Sequence, residues 1–194
     1  VGPNLEEILR ERGAEVIRMG IGASSSKVWY KTLLGKRHSL SKKFPWTKKW
    51  TIEHLKAQKP DQIIISLGGN TSWLGKYGKN AGIMGTYHFK HTFPLMKTLK
   101  EITPNVIWFG PSHRWDSVSK KNQKKIRRGR GLTDDFLHYY ASLAGIRYVS
   151  MLKWSLEDKK LRLLTAKEKR YDGVHYRGAS AACYARAMAS NIQK

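Results

Sequence analysis

Short apolar runs alternate with helix-like segments along most of the chain, and few folds accept this order. Residues 62–67 (QIIISL) form a continuous apolar run, which is typical of a strand buried on both faces. Similar runs follow at residues 105–110 (NVIWFG) and 146–151 (IRYVSM), and the helix-like segment 93–102 (FPLMKTLKEI) lies between the first two. Strands that alternate with helices predict an α/β protein with a parallel sheet and helices on both faces.

The remaining segments complete this pattern. Residues 14–20 (AEVIRMG) have the composition of a short strand, and the lysine- and arginine-rich residues 119–131 (SKKNQKKIRRGRG) are interpreted as an exposed loop. Thr133 is expected to cap the helix that follows this loop. Further helices are predicted at residues 3–12, 48–58, 133–145 and 177–193.

Composition indicates one globular domain that covers residues 1–194. The hydrophobic content is 40%, which argues against wholesale disorder. No apolar run approaches the roughly 20 residues that span a bilayer. The single cysteine, Cys183, excludes an internal disulfide and is interpreted as a small buried residue of the last helix. Oligomeric state and compartment stay open at this point, with a virion-associated or extracytoplasmic location compatible with the sequence.

The charge of the chain is unusually positive. Thirty-seven Lys and Arg residues against fourteen Asp and Glu residues give a net charge of +23. Such an excess predicts attraction to polyanions, whether nucleic acid, anionic wall polymers, acidic glycans or acidic membrane surfaces. The excess is concentrated in residues 36–50 and 119–131, which either are solvated basic faces or dock an anionic polymer.

The order of elements also suggests that a strand is missing. The chain begins with a helix, whereas a doubly wound domain normally begins with a strand that lies inside the sheet. Without that strand, its neighbours would leave backbone N–H and C=O groups unpaired along an edge, which is costly. We therefore expect a first strand upstream of Val1.

Small-residue loops follow the predicted strands and carry the residues of a candidate site. They are MGIGASSS (19–26), LGGNTS (67–72), GPSHRW (110–115) and DGVH (172–175). Because the carboxyl ends of parallel strands meet at one edge, these loops are expected to lie close together. In this order they resemble the sequence blocks of the SGNH (GDSL-type) hydrolase family, except that the block with Gly-Asp-Ser is not in the chain and Thr71 stands where the family usually has Asp.

The resemblance implies a three-layer α/β/α, flavodoxin-like fold and a serine esterase site. His175 would be the general base and Asp172 would orient its imidazole. The backbone N–H of Gly22 and the side-chain amide of Asn70 would donate to the oxyanion. Gly68, in the same block as Asn70, would be a substrate-binding residue. The serine would lie just upstream of Val1, at the amino end of the first helix.

Residues next to these blocks are candidates for substrate binding. The side chains of Trp29, Trp73 and Trp115 each follow a loop motif and suit the face of a sugar ring, although core packing explains any one of them equally well. His113 either contacts substrate or is a solvated loop residue. No cofactor is predicted. No metal is predicted either, because His88 and His91 lack a suitably spaced third ligand.

Three functions fit these observations. The first is a serine esterase that removes acyl groups, such as acetyl, from a carbohydrate or cell-wall polymer; small basic domains of this kind resemble those carried by bacteriophage particles. The second is an inactive SGNH-like scaffold that binds nucleic acid or protein in an assembly. A third, a nucleotide binder of flavodoxin type, lacks a phosphate-loop consensus. The hydroxyls of Ser24, Ser25 and Ser26 are alternative nucleophiles, although turn hydrogen bonds explain them more simply.

Overall fold

The computed structural model describes residues 1–20, 24–68, 81–112, 120–167 and 176–192. The strands within them are β1 (Ile63–Ser66), β2 (Val106–Phe109) and β3 (Arg147–Val149). The α-helices within them are α1 (Gly2–Glu11), α2 (Ser26–Leu33), α3 (Ile52–Ala57), α4 (Ala81–Tyr87), α5 (Phe93–Ile102), α6 (Lys120–Leu143), α7 (Met151–Glu157), α8 (Lys159–Lys167) and α9 (Gly178–Ser190). A 3₁₀ helix covers Pro45–Lys49, and a π-helical turn, His88–Thr92, joins α4 to α5.

The three strands form a parallel sheet in the order β1-β2-β3. All four residues of β2 are buried, because this strand has a neighbour on each side. The predicted burial of β1 on both faces is wrong, since Ile63, Ile64 and Ile65 are only half-buried. Among the described residues β1 has one hydrogen-bonded neighbour, so its other edge carries no strand there.

Side chains of β2 divide the core into two clusters on opposite faces of the sheet. Ile107 and Phe109 pack with apolar residues of α1 and α9, whereas Val106 and Trp108 pack with α5 and α6. This division follows from the alternation of side chains along a strand. The α/β class with a parallel sheet is therefore confirmed. The finer flavodoxin-like SGNH arrangement stays a prediction.

The strand predicted at residues 14–20 is wrong. These residues are not in a strand, and Ile17 is 55% exposed. The carbonyl of Val16 accepts a hydrogen bond from the side chain of Arg10 at 2.7 Å instead of from a neighbouring strand. A β-branched sequence forms a strand only where a partner supplies the other half of the ladder, and the described residues place none beside this segment.

The exposed loop predicted at residues 119–131 is also wrong, because α6 runs unbroken from Lys120 to Leu143. Thr133 does not cap a helix. Its side chain is fully buried in the middle of α6, where Oγ1 donates to the carbonyl of Gly129 at 2.8 Å. The apolar residues Leu137 and Ala141 bury one face of this helix, and tertiary packing of that kind outweighs the small helix penalty of two glycines.

The remaining helices refine the prediction. The helix expected at residues 48–58 is divided at Trp50 and Thr51, and Thr51 Oγ1 accepts a hydrogen bond from the backbone N–H of His54 as a new N-cap. Helices α2, α4, α7 and α8 were not predicted, because segments of seven to nine residues are too short to give a clear period. Within the described ranges, no helix is both long and apolar enough to cross a membrane.

Candidate functional site

The carboxyl ends of the three strands lie next to one another, as the parallel register requires. Leu67 and Gly68 follow β1, Gly110 follows β2, and Ser150 follows β3. A hydrogen bond of 3.2 Å from Trp108 Nε1 to the carbonyl of Leu67 fixes the first two ends to each other. The sequence-predicted loops at positions 67–72 and 110–115 therefore begin at one edge of the sheet.

Gly68, predicted as a binding residue, is required here for steric reasons. Its φ of +128° lies in a region that side-chain-bearing residues rarely adopt. A Cβ atom at this position would lie 2.8 Å from Leu137 Cδ1 and 3.3 Å from Pro111 Cδ. The glycine thus lets the chain leave β1 in close contact with both α6 and the segment after β2.

A buried carboxyl group joins the end of β3 to helix α6. Asp134 Oδ1 accepts a hydrogen bond of 2.5 Å from the Tyr148 hydroxyl, and Oδ2 accepts one of 2.7 Å from the Ser150 hydroxyl. Gly110 lies against the same group, because a Cβ there would meet the Tyr148 hydroxyl and come within 2.7 Å of Asp134 Oδ1. This cluster, the Asp134 network, fixes the ends of β2 and β3 to one position on α6.

Burial governs the titration of the Asp134 network. It raises the pKa of Asp134, and the hydrogen bonds from Tyr148 and Ser150 oppose that rise by favouring the carboxylate. The pKa of Tyr148 is raised, first by burial and then by the charge of Asp134. The phenol therefore stays a hydrogen-bond donor at any physiological pH. Both carboxylate oxygens have a donor, so the network orients backbone segments and presents no free base.

The start of α9 reaches the same edge through two tyrosines. Tyr176 directly follows the predicted base His175, and its ring stacks on the Tyr184 ring with centroids 4.9 Å apart. Burial raises the pKa of Tyr184, whose hydroxyl is in hydrogen-bond contact with Ser112. The chain that leaves the DGVH block is therefore fixed beside the chain that enters the block with His113.

The start of α2 is connected to this edge through α4. The backbone N–H of Lys27 donates to the Tyr87 hydroxyl at 3.2 Å. One turn earlier in α4, Met84 Sδ lies 3.4 Å from Thr133 Oγ1 on α6. Thr133 Cγ2 in turn lies 3.5 Å from the Cβ position of Gly68. The segment that follows the predicted glycine block thus contacts the same part of α6 by way of α4.

Trp29, predicted to bind substrate, is half-buried and already has ring contacts. Its ring stacks on Trp50 at 5.7 Å with an interplanar angle of 6°, so that this face is closed to a sugar. Its Nε1 donates to Ser24 Oγ at 2.9 Å. The packing interpretation accounts for these contacts. They also attach the segment that ends at Trp50 to the start of α2.

The other predicted site residues lie outside the described residues. They are Gly22, Asn70, Trp73, His113, Trp115, Asp172 and His175. Three of the four loops contain described residues, namely Ser24, Gly68 and Ser112, and Tyr176 directly follows the fourth. Gly68 lies against α6, and the start of α2 reaches α6 through α4. Ser112 and Tyr176 are joined to each other through Tyr184 of α9.

Within the part of the chain that the structure describes, two buried polar atoms near this region lack a hydrogen-bond partner. They are Ser26 Oγ, 1% exposed at the start of α2, and His88 Nε2 in the π-helical turn. Burial lowers the pKa of His88 to about 4, so its imidazole is neutral. In the part of the chain that the structure describes, no group of three His, Cys, Asp or Glu side chains could hold a metal ion.

The Asp134 network was missed from sequence because Asp134 was interpreted only as part of a helix start. A usable signal was present, since Tyr148 and Ser150 alternate with Val149 at the end of a strand. Alternation places two hydroxyls on one face, where a buried acceptor is then needed.

Comparison with known proteins gave no match to a family model, to a curated protein or to a solved structure.

Proposed function

We propose that the chain is a serine esterase of SGNH type that removes an acyl group, such as acetyl, from a carbohydrate or cell-wall polymer. The observation that supports this proposal is that contacts connect the described parts of separate loops. Gly68 lies against α6, the start of α2 reaches α6 through α4, and Ser112 and Tyr176 are joined through Tyr184. Loops far apart in sequence need such connections if they are to act on one bond. A set of unrelated turns would not require them.

The proposed chemistry follows from the residue types. His175 takes the proton of a serine hydroxyl as that hydroxyl attacks the ester carbonyl, and Asp172 stabilises the resulting imidazolium. The tetrahedral intermediate carries its negative charge on the former carbonyl oxygen, where the Gly22 N–H and the Asn70 amide donate hydrogen bonds. Its collapse releases the alcohol, with the proton returned from His175, and water then hydrolyses the acyl-serine by the same route.

The serine is proposed to come from a strand upstream of Val1. This proposed strand is supported by the second edge of β1, which has no strand beside it among the described residues. It does not rest on the position at which the sequence begins. Ile63, Ile64 and Ile65 on that edge are half-buried apolar residues of the type found inside sheets. A further parallel strand there would end at the same edge as β1 and carry its serine to Gly68.

Hydrolysis of p-nitrophenyl acetate by the natural full-length protein tests the proposal. His175→Ala is expected to lower kcat/KM by at least about 10³-fold, because the nucleophile loses its base. His54→Ala is the matched control, since His54 lies on α3, whose end is beside the segments that enter β1 and β2, and it is expected to leave kcat/KM unchanged. Equal activity of the two variants would contradict the assigned base.

A fluorophosphonate probe locates the nucleophile independently of turnover. It reacts covalently with an activated serine, and mass spectrometry of the labelled peptide identifies the residue. Label on a serine upstream of Val1, lost in His175→Ala, is the expected result. Label on Ser24, Ser25 or Ser26 would move the nucleophile to the start of α2, and no label at all would contradict the esterase.

The second candidate function is an inactive scaffold that binds nucleic acid or protein partners in a virion or another assembly. The observation that favours it is that residues 120–131 of the basic tract lie in the first half of α6 as a continuous helix. Such a concentration of Lys and Arg in sequence suits a polyanion whether or not ester chemistry occurs nearby. Absence of both hydrolysis and probe labelling, with salt-dependent DNA affinity retained, would favour the scaffold.

A further inference from the structure

A basic and aromatic segment at residues 36–50 (KRHSLSKKFPWTKKW) lies outside the proposed catalytic machinery. It contains six Lys and Arg residues and no Asp or Glu: Lys36, Arg37, Lys42, Lys43, Lys48 and Lys49. All six side chains are exposed. The ion pairs found among the described residues, between Glu6 and the side chains of Arg10 and Arg18, do not involve this segment. Its charge therefore faces solvent.

The segment is folded, although it holds little regular structure. The hydroxyl of Thr47 is 2.8 Å from the carbonyl of Phe44, to which it donates, and the backbone N–H of Trp50 donates to the carbonyl of Thr47. Stacking of Trp50 on Trp29 attaches its end to α2. The side chains of this segment consequently have defined directions.

In the 3₁₀ helix Pro45–Lys49, side chains three residues apart lie on the same side of the helix. Thr47 is 2% exposed and faces the protein, and Trp50, three residues later, lies on the same side. Trp46 and Lys49 share the opposite side, and Trp46 is 50% exposed. An indole ring is thus presented to solvent with a pair of lysines before it in sequence and another pair after it.

Contacts within the segment leave the Trp46 ring available. Phe44 meets it in an edge-to-face arrangement, with centroids 5.1 Å apart and an interplanar angle of 77°. Lys43 Nζ lies 5.6 Å from the centroid of the Phe44 ring. Phe44 therefore supports Trp46 at its edge and holds a cation next to it, whereas no stacked partner covers the Trp46 face among the described residues.

We propose that residues 36–50 bind single-stranded nucleic acid, with a base stacked on Trp46 and the neighbouring phosphates paired with Lys42, Lys43, Lys48 and Lys49. Every nucleotide carries a phosphate, so a strand that crosses the ring places negative charge on both sides of it, and two lysines precede and two follow Trp46 in sequence. A base can stack on a side chain only when it has left its own stack, which favours a single strand over a duplex. This binding is a function additional to ester hydrolysis and does not depend on it.

The same observations disfavour an anionic membrane as the occupant. Interfacial segments insert a continuous apolar face, usually of several Leu, Phe and Trp side chains. Within residues 36–50, Trp46 is the one large apolar side chain in the exposed class, and the others are half-buried. A single indole surrounded by lysines suits a flat ring better than an acyl layer.

Fluorescence anisotropy with a labelled oligothymidylate of about 20 nucleotides tests the proposal on the full chain. Trp46→Ala is expected to weaken binding about tenfold, the effect of losing one base–aromatic stack. Trp46→Phe keeps a ring and is expected to stay within about twofold of the wild-type affinity. Tyr139→Ala is the control, because Tyr139 is a similarly exposed aromatic residue on α6, 58% exposed. Equal losses in the Trp46→Ala and Tyr139→Ala variants would overturn the proposal.

A charge test gives a second readout that does not require an aromatic substitution. The double variant Lys42→Ala/Lys43→Ala removes two proposed phosphate contacts and is expected to reduce the salt slope of log K by about 1.4. Lys56→Ala/Lys59→Ala removes the same charge from exposed positions on and just after α3, and is expected to leave that slope unchanged. Equal slopes for the two double variants would contradict the proposed contacts.

Competing ligands identify the class of the occupant. The single strand is expected to bind more tightly than a duplex of the same length, and more tightly than vesicles with phosphatidylserine or an acidic polysaccharide of matched charge. Tighter binding to vesicles or to the polysaccharide would overturn the proposal. So would duplex affinity equal to that of the single strand, because stacking on Trp46 would then contribute nothing.

Discussion

Protonation of His88 is expected to destabilise the fold in a narrow and predictable pH range. The imidazole is completely buried in the π-helical turn, and its ring stacks on Phe136 with centroids 5.9 Å apart. Nδ1 lies 2.9 Å from Thr92 Oγ1, and Nε2 has no hydrogen-bond partner among the described residues. Burial lowers the pKa of His88 to about 4, because it disfavours the charged imidazolium.

The direction in which stability changes with pH follows from proton linkage. A histidine in the unfolded chain binds a proton near pH 6.5, whereas His88 in the folded chain does so only near pH 4. Between these values the unfolded state binds more protons, so stability is lost as the pH falls. At about pH 4.5 the two pKa values give a loss of about 2.5 kcal/mol in the free energy of unfolding from this residue alone.

His88→Phe isolates this contribution. Phenylalanine keeps a ring against Phe136 and removes the unpartnered nitrogen, at the cost of the contact with Thr92, so at neutral pH the variant should be within about 1 kcal/mol of wild type. Urea unfolding followed by tryptophan fluorescence gives the free energy at about pH 7.5 and pH 4.5. Wild type is expected to lose about 2.5 kcal/mol more than the variant between the two, or roughly 5–10 °C in Tm.

Other groups do not obscure this difference. The pKa of His91 is also lowered, by burial and then by nearby lysines, and this residue destabilises wild type and variant alike on acidification. If His88→Phe and wild type lose the same free energy, the imidazole is not held neutral and the reasoning is refuted.

Two further predictions concern the Asp134 network. Gly110→Ala should lower the free energy of unfolding by about 3 kcal/mol in urea titrations, because its methyl group would meet the Tyr148 hydroxyl and Asp134 Oδ1. Gly131→Ala, with nothing within 4 Å of its Cβ position inside α6, should instead stabilise by roughly 0.5–1 kcal/mol, and equal effects would contradict the packing described. Tyr148→Phe should cost about 1–2 kcal/mol, and more at pH 8 than at pH 4, because the lost hydrogen bond favours the ionised form of Asp134. A loss independent of pH would show that Asp134 does not ionise in this range.

The strands of the sheet could be predicted from sequence because each has a recognisable local pattern. Each is a short apolar run, and the predicted segments 62–67, 105–110 and 146–151 contain the three observed strands. The run at residues 14–20 has a similar composition but forms no strand. The difference is the hydrogen-bonded neighbour, which a local pattern does not specify.

Helix α6 could not be predicted as one element because its two halves have opposite compositions. The first half is basic and contains Gly129 and Gly131, which are signals of a loop. The second half is apolar, and burial of Leu137 and Ala141 fixes it against the sheet. Since helix propagation is cooperative, a fixed second half favours continuation into the first. The Thr133 hydroxyl illustrates this, because it donates to the Gly129 carbonyl of the preceding turn instead of ending the helix.

At the glycines of the predicted site, a functional motif and a packing requirement call for the same residue type. Gly68 was predicted from a motif for substrate binding, yet Leu137 and Pro111 exclude any side chain there. At Gly110 a Cβ atom would likewise meet the Tyr148 hydroxyl and Asp134 Oδ1. Both glycines therefore serve the close approach of strand ends to α6, a requirement that applies to an esterase and to an inactive scaffold alike.

Because of this packing, α6 supports both the proposed catalytic edge and the basic tract. Its middle residues, Thr133 and Asp134, hold the strand ends and α4 at the proposed catalytic edge. Its first half carries the basic tract, and from Lys120 to Asp134 a helix rises by about 21 Å. An unbroken helix keeps that separation fixed. A polyanion held at the tract would therefore be presented to the edge at a constant distance, which a flexible basic loop could not achieve. The tract and the proposed catalytic edge thus share one continuous helix, α6.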